Sequence, residues 1–352
     1  MPYSITPADL DRDKQEILAL WKRNFPNIPE ARYDWIYKNN PAGPALCYVA
    51  RDSRGKVIGS ASIFPRRFFI NNSACETTIL GGIAGDFVID KEHRGFGPAL
   101  SLQKMLISKA KEKKFDILYG FPNTQSKSLL QRVGYKDLGN LIRLTKPLRS
   151  EYFLKRYLNI PKVTGELSKP VDIFLKIFSK EEYYKSPPEF NFEILQTIDK
   201  RFDDLWDKGK SQFFFIGERN RSYIEWRFSN SPHANHKIFI LKNKFNDRIL
   251  GYLIFHTSQN KTLIDDVFFK EKNKIIDSMF SKFLLFQKKE GIQSVSLNII
   301  GLPLLIKKLK QYGFSERDKE NDLIICDLNG KYINNFNNKK DWYFSFGDND
   351  IA

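Results

Sequence analysis

The chain is poor in the residues that make reactive or cross-linked centres: 352 residues include three cysteines, three methionines and four histidines. Cys47, Cys75 and Cys326 are scattered among strand-like runs and form no Cys-x-x-Cys pair. That excludes a disulfide scaffold and points to buried free thiols in a reducing compartment. No run approaches 18 apolar residues, and the opening MPYSITPADLDRDK carries no apolar leader. The expectation is a cytoplasmic chain with neither signal peptide nor membrane span. Gly-x-Ser-x-Gly is absent and no cysteine sits in a helix-opening turn, so no nucleophile signature is present. His233 and His236 are spaced like helical metal ligands but lie in Ser-Pro-His-Ala-Asn without a nearby carboxylate–histidine set. The sequence reading therefore assigns no metal.

Acid is also scarce. There are 41 Asp/Glu against 57 Lys/Arg, a net charge of +16. Residues 101–150 hold eleven basic and three acidic side chains, whereas residues 151–200 balance at eight each. A basic rim in the first region would attract an anionic ligand. No helix-turn-helix, zinc-finger or RNP motif supports nucleic acid as that ligand. The chain is nonetheless rich in core material, with 41% hydrophobic residues, 30 Phe and 15 Tyr. Its length suffices for two packed domains.

The most informative segment runs from Ile83 to Tyr135. Arg94-Gly95-Phe96-Gly97-Pro98-Ala99 stands between a strand-like run, Phe87-Val88-Ile89, and a helix-like run from Ala99 to about Lys113. A glycine-bearing turn that opens a helix offers unpaired, converging N–H groups and the positive end of the helix dipole, which suits an anion. Gly95 and Gly97 permit close approach and positive φ, and Pro98 suits a first helical turn. The dinucleotide fingerprint fails because Pro98, Ala99 and Leu100 follow Gly97, and no Gly-Lys-Ser/Thr ends the turn as a P-loop requires. The remaining pattern, Arg-x-x-Gly-x-Ala, resembles the pyrophosphate loop of the GNAT (acetyl-CoA-dependent N-acetyltransferase) superfamily. Asn123, Ser126, Leu129, Gly134 and Tyr135 fall at the spacings of that superfamily's next motif, after the strand-like Ile117-Leu118-Tyr119-Gly120-Phe121.

The resemblance implies acetyl-CoA as cosubstrate, held by Val88, Ile89, Arg94, Gly95, Phe96, Gly97, Pro98, Ala99 and Asn123. A backbone N–H near Ile89 would bond the thioester carbonyl, and Asn123 the pantetheine amide. The tyrosine that many members use to protonate the leaving thiolate falls at Leu130, which cannot donate a proton. Attack by an amine needs a base, because amines are mostly protonated at neutral pH. Asp86, a carboxylate before Phe87-Val88-Ile89, is the candidate base, and Tyr119 the candidate replacement acid.

The sequence also repeats itself. Tyr33–Phe64 can be laid against Ile224–Phe255, matching Trp35 with Trp226, Tyr37 with Phe228, Asn39 with Asn230, Pro41 with Pro232 and, after one extra residue, Gly59 with Gly251. Leu129–Tyr135 has a counterpart in Lys308–Phe314. The expected fold is α/β (α+β), with two tandem GNAT-like modules, each a mixed, mostly antiparallel sheet flanked by helices. In the second copy KEKNKIID replaces the loop and has no glycine, so this copy is expected to have lost the cofactor. The divisions are 1–146 for the acetyl-CoA module, 147–210 for a helical connector, 211–330 for the degenerate module and 331–352 for an aromatic and acidic tail. Trp342, Tyr343, Phe344 and Phe346 give that tail enough apolar surface to dock, near the cleft.

The function expected is transfer of acetyl from acetyl-CoA to the primary amine of a small molecule by direct attack in a ternary complex. The Trp-x-x-x-x-Asn-Pro opening, GFPN and the tail resemble bacterial GNAT proteins of surface-polysaccharide clusters, which makes an amino sugar or sugar nucleotide the candidate acceptor. Three alternatives remain at this level: a longer-chain N-acyltransferase in peripheral contact with a membrane, a Fem-type aminoacyl transferase, and a non-catalytic acyl-CoA-binding module. The sequence carries nothing that sets the oligomeric state.

Overall fold

A computed structural model describes residues 3–24, 28–71, 76–94, 97–149, 179–270, 273–317, 320–332 and 342–350. In chain order these form β1 (Ser4–Pro7), α1 (Lys14–Asn24), α2 (Ala31–Tyr33), β2 (Leu46–Arg51), β3 (Val57–Asn71), β4 (Glu76–Ile89), α3 (Pro98–Glu112), β5 (Ile117–Gly120), α4 (Thr124–Arg132) and β6 (Lys136–Pro147). Then follow α5 (Lys180–Tyr183), β7 (Phe190–Leu195), α6 (Arg201–Gly209), β8 (Phe215–Gly217), α7 (Arg221–Ile224), β9 (Lys237–Asn243), β10 (Ile249–Ser258) and β11 (Lys261–Phe269). The chain continues through α8 (Asn273–Lys289), β12 (Ser294–Ile300), α9 (Pro303–Gln311), β13 (Ser315–Glu316), β14 (Glu320–Asp327) and β15 (Trp342–Ser345).

The repeat seen in the sequence is a repeat of elements. In both copies a short helix widens into a π-helical turn, Asp34–Lys38 after α2 and Glu225–Ser229 after α7. A hairpin, a strand–helix–strand crossover, a further helix and a last strand follow each time. The last strands are exchanged. β5 pairs with β14 of the second copy, and β12 pairs with β6 of the first over Ser294–Ile299. β6 and β14 pair with each other, joining everything into one sheet. Between the π-turns, Trp35 and Trp226 stack with ring centroids 5.1 Å apart.

Long strands buried on both faces hold the core. β3, VIGSASIFPRRFFIN, is almost wholly buried, and its near-continuous apolar run suits a central strand. Pro65 would break such a strand if its missing N–H were needed. It falls where β2 has ended its pairing at Ile63 and β8 begins at Phe68, so no bond to that neighbour is lost.

One expectation changes. The described part of the connector is not only helical, because Phe190–Leu195 pairs antiparallel with β9 as the edge of the second copy's sheet. The apolar basic runs LRSEYFLKRYLNI and KPVDIFLKIF fall mainly within 150–178, outside the described residues. The tail docks centrally: β15 pairs parallel with β8 and antiparallel with β12. Cys47 and Cys326 are buried free thiols, and Cys75 lies outside the described residues. No helix among the described residues is long and apolar enough to cross a membrane.

Candidate functional site

β4 and β5 run parallel and pair only from Gly81–Ile117 to Ile83–Tyr119. Beyond that point β5 ends at Gly120 while β4 continues to Ile89, so the strands part and leave an opening. Along β4 the register against β3 slips between Ser60 and Ser62, and Asp86 takes φ 49°, in the left-handed region. This bulge redirects the last turn of β4. The amide of Asp90 donates to the Ile58 carbonyl at 2.8 Å, toward β3. Strand alternation then turns the Val88 amide the same way and the Ile89 amide toward the opening.

Gly97 caps α3 with φ 83°, a conformation that side chains with a Cβ resist, and Pro98 occupies the first turn. The first bond of this helix runs from Ser101 N–H to the Gly97 carbonyl at 3.3 Å. The amides of Ala99 and Leu100 precede it and carry the positive end of the helix dipole. Arg94 folds back, its Nε donating to the Ile89 carbonyl at 3.1 Å and its Nη2 to Asn24 Oδ1 at 3.3 Å. It braces the turn from behind. Gly95 and Phe96 lie outside the described residues.

Asn123 stands on the other side of the opening as the N-cap of α4. Its Oδ1 accepts from the Ser126 amide at 2.9 Å and the Ser126 hydroxyl at 3.0 Å. The side-chain NH₂ is the group left for a ligand. Leu130 is buried in the core with Ile58, Leu102 and Ile324, as an aliphatic residue at that position should be.

The acid–base candidates fare differently. Asp86 is buried and forms an ion pair with Arg32, Nη1 to Oδ2 2.7 Å, with both side chains at most 5% exposed. Tyr119 is buried among Phe68, Phe121 and Phe344, and its hydroxyl donates to the Asp348 carbonyl at 3.0 Å. Burial pushes that phenol well above its usual range. This is the setting of a core aromatic that ties down the tail, and a poor one for a proton donor to a thiolate.

Two residues at the site escaped sequence reasoning. Arg32 lies one turn before Trp35 and has nothing local to mark it. Asp350 arrives with the tail, which the sequence marks as aromatic and acidic without giving this carboxylate a role. A Cβ on Gly85 would come within 2.6 Å of Asp350 Oδ2, so Gly85 makes room for this carboxylate beside the β4 bulge. The Asp350 carbonyl accepts from Arg32 Nη2 at 3.3 Å. Burial pushes the Asp350 carboxyl up to about 6, with Asp86 adding to the rise and Arg32 and Arg227 opposing it.

The tail is held by a buried charge network. Asp348 accepts from Arg66 Nη2 at 3.0 Å and Arg219 Nη2 at 2.6 Å, and Arg219 also clasps Asp266. Two guanidinium groups thus meet two carboxylates, which offsets the cost of burying each charge. The same tail closes the second copy. β11 and β12 pair in parallel only to Ile264–Leu297, and beyond that β15 takes the edge of β12 at Ile299 and Ile300. The Tyr343 hydroxyl meets the Val267 amide at 3.2 Å on the β11 side. The space corresponding to the first copy's opening is filled by protein.

Residues 6–137 match the protein family described as Acetyltransferase (GNAT) domain. The chain is similar in structure to a conserved protein of unknown function from Enterococcus faecalis, a probable N-acyltransferase, with TM-score 0.70 and 11% identity over 94% of this chain and 74% of that one. It is also similar to a GCN5-related N-acetyltransferase from Anabaena variabilis, with TM-score 0.65 and 15% identity over 93% and 73%. A third, a GCN5-related N-acetyltransferase from Kribbella flavida, gives TM-score 0.61 and 12% identity over 92% and 70%. At these identities the likeness is one of fold. No curated protein matches the chain in sequence. The parted strands, the bulge and the glycine-capped helix define an acyltransferase of the GNAT kind. The chain carries an acetyltransferase (GNAT) domain over residues 6–137.

Proposed function

We propose that the protein transfers an acetyl group from acetyl-CoA to the primary amine of a small molecule, both substrates being bound together. One observation carries this reading: β4 and β5 part just where the Gly97 turn opens α3, giving a slot with amide donors at one end. The residues fit the cosubstrate. The Ala99 and Leu100 amides suit its pyrophosphate, the Asn123 NH₂ suits a pantetheine carbonyl, and the Ile89 amide suits the thioester oxygen, where charge develops during attack. Acetyl-CoA supplies the activated acyl group, and this chain's residues supply position and proton transfer.

Asp350 is the better-placed base. Asp86 is engaged by Arg32 and sets the field of the site, whereas Asp350 has a carboxyl that changes charge near pH 6. A base near that value can take a proton from the amine and still be ionised at neutral pH. Tyr119 is assigned to positioning, through Asp348, and protonation of the thiolate falls to water. The acceptor to test first is an amino sugar or sugar nucleotide, in keeping with the polysaccharide-cluster resemblance.

Calorimetry of acetyl-CoA against the intact protein and Gly97→Glu tests cosubstrate binding, and thiol release across a panel of amines tests transfer. Absence of acetyl-CoA binding to the intact protein overturns the proposal. Binding without thiol release for any amine leaves a binding module in its place.

A further inference from the structure

The second copy, closed to a cosubstrate, has a cluster of its own. His236 precedes β9, His256 lies on β10, and Asp265 is the extra residue where the register of β11 slips against β10. Their donor atoms all lie within 4.8 Å of one another. Asp265 Oδ2 is 2.6 Å from His256 Nδ1 and 3.3 Å from His236 Nε2. The His233–His236 pair suggested by spacing is not this cluster, because His233 turns its ring edge-on to Trp35.

Hydrogen positions sharpen the geometry. His236 Nδ1 is 3.1 Å from the Phe228 carbonyl, which can only accept, so Nδ1 carries the proton. In a neutral imidazole Nε2 then presents its lone pair to a carboxylate oxygen, and the contact is repulsive. A proton on either group or a metal ion between them removes that repulsion. Asp265 is fully buried, and its Oδ1 has no hydrogen-bond partner among the described residues. A buried carboxylate oxygen with nothing to accept from is costly. Metal-bound histidines commonly donate the distal N–H to a carbonyl, as His236 does here.

We propose that His236 Nε2, His256 Nδ1 and Asp265 bind a divalent transition ion of the zinc class. Two imidazoles and one carboxylate suit zinc, cobalt or nickel, whereas calcium and magnesium prefer oxygen throughout. The His256 side chain is 25% exposed, which leaves a side for the ion to enter and for water as a fourth ligand. The ion ties the start of β9 to β10 and β11. The first copy cannot form this site. With Gly59 facing Ile89 and Gly251 facing Phe269, Asp265 corresponds to Gly85 and His256 to Phe64.

The test uses the full chain stripped of metal with a chelator, then titrated with Zn²⁺ by calorimetry and with Co²⁺ by visible absorption. One ion per chain is expected, with the ligand-field bands of a four-coordinate site. His256→Ala should weaken binding by more than about 100-fold, beyond the range for losing an outer partner of a ligand. Its acetyl-CoA binding should be unchanged, which reports that the variant is folded. His256→Cys should keep the ion and add a thiolate-to-cobalt charge-transfer band. Equal uptake by the wild type and His256→Ala overturns the proposal. So does a His236 ring that NMR shows doubly protonated with Zn²⁺ present.

Discussion

Trp35 and Trp226 hold each other by the same bond made twice. Each indole N–H donates to the other's backbone carbonyl, at 2.7 Å and 2.8 Å, while the rings stack. Residues matched in the internal repeat therefore meet on the local two-fold axis relating the copies. Asp34 and Glu225, Asn39 and Asn230, and Pro41 and Pro232 line a cavity of about 520 Å³ around them, again in matched pairs.

Either tryptophan replaced by alanine removes a large buried ring and leaves its partner's backbone carbonyl without its indole donor. Each change should destabilise by about 3 kcal/mol or more, and the double variant by less than the sum of the two. Urea unfolding of the three variants measures this. Additive losses would show that the two rings act independently.

The exchanged strands give a second outcome. If the chain is split between residues 149 and 179, the halves should copurify, because β6 needs β12 and β14 needs β5 as neighbours. An unpaired strand edge favours association or aggregation. Gel filtration decides, and two folded monomers eluting separately would contradict the arrangement.

At Gly97 the backbone, with φ 83°, separates two substitutions of similar bulk. Asn tolerates the left-handed region and Val does not. Gly97→Val should weaken acetyl-CoA binding about 10- to 100-fold, from strain of about 1–3 kcal/mol. Gly97→Asn should stay within a few-fold of wild type by calorimetry.

Asp350 makes a prediction with a sign. Its folded carboxyl titrates near 6, above the ordinary carboxyl value, so folding favours the protonated form. The stability it contributes is full below the unfolded value near 4 and is lost as pH rises through about 6. Asp350→Asn should thus unfold at a higher temperature than wild type at pH 7.5, with the difference fading toward pH 4. Its rate should lack the fall that wild type shows as pH drops through 6. A wild-type rate flat across that range would remove Asp350 from the proton path.

Tyr119→Phe loses one buried bond to the tail. The expected cost is about 1 kcal/mol of stability. Turnover should remain within a few-fold and its alkaline limb should not move. Disappearance of that limb would restore Tyr119 as the acid.

Legibility in the sequence followed range along the chain. The Arg94–Ala99 turn and Asn123 could be read because helix starts and caps are written in a few adjacent residues. The pairing of Trp35 with Trp226 was visible as a match but not as a contact. The strand exchange was hidden because β6 and β14 carry the same apolar pattern whichever copy they complete. Tyr119 reads as a candidate acid only if the tail is ignored. Asp350 takes no role from its sequence neighbours, since its partner Arg32 is 318 residues away. Likewise His236, His256 and Asp265 come from three separate elements and form no local motif.

The contact between Gly85 and Asp350 also has a meaning in time. A nascent chain acquires the Gly97 turn early, and the first copy's sheet can begin to form while most of the protein is still unmade. The carboxylate assigned to proton transfer emerges only when synthesis has passed residue 350. Until then Gly85 lacks its Asp350 neighbour, so the proposed proton transfer waits on the segment that docks last.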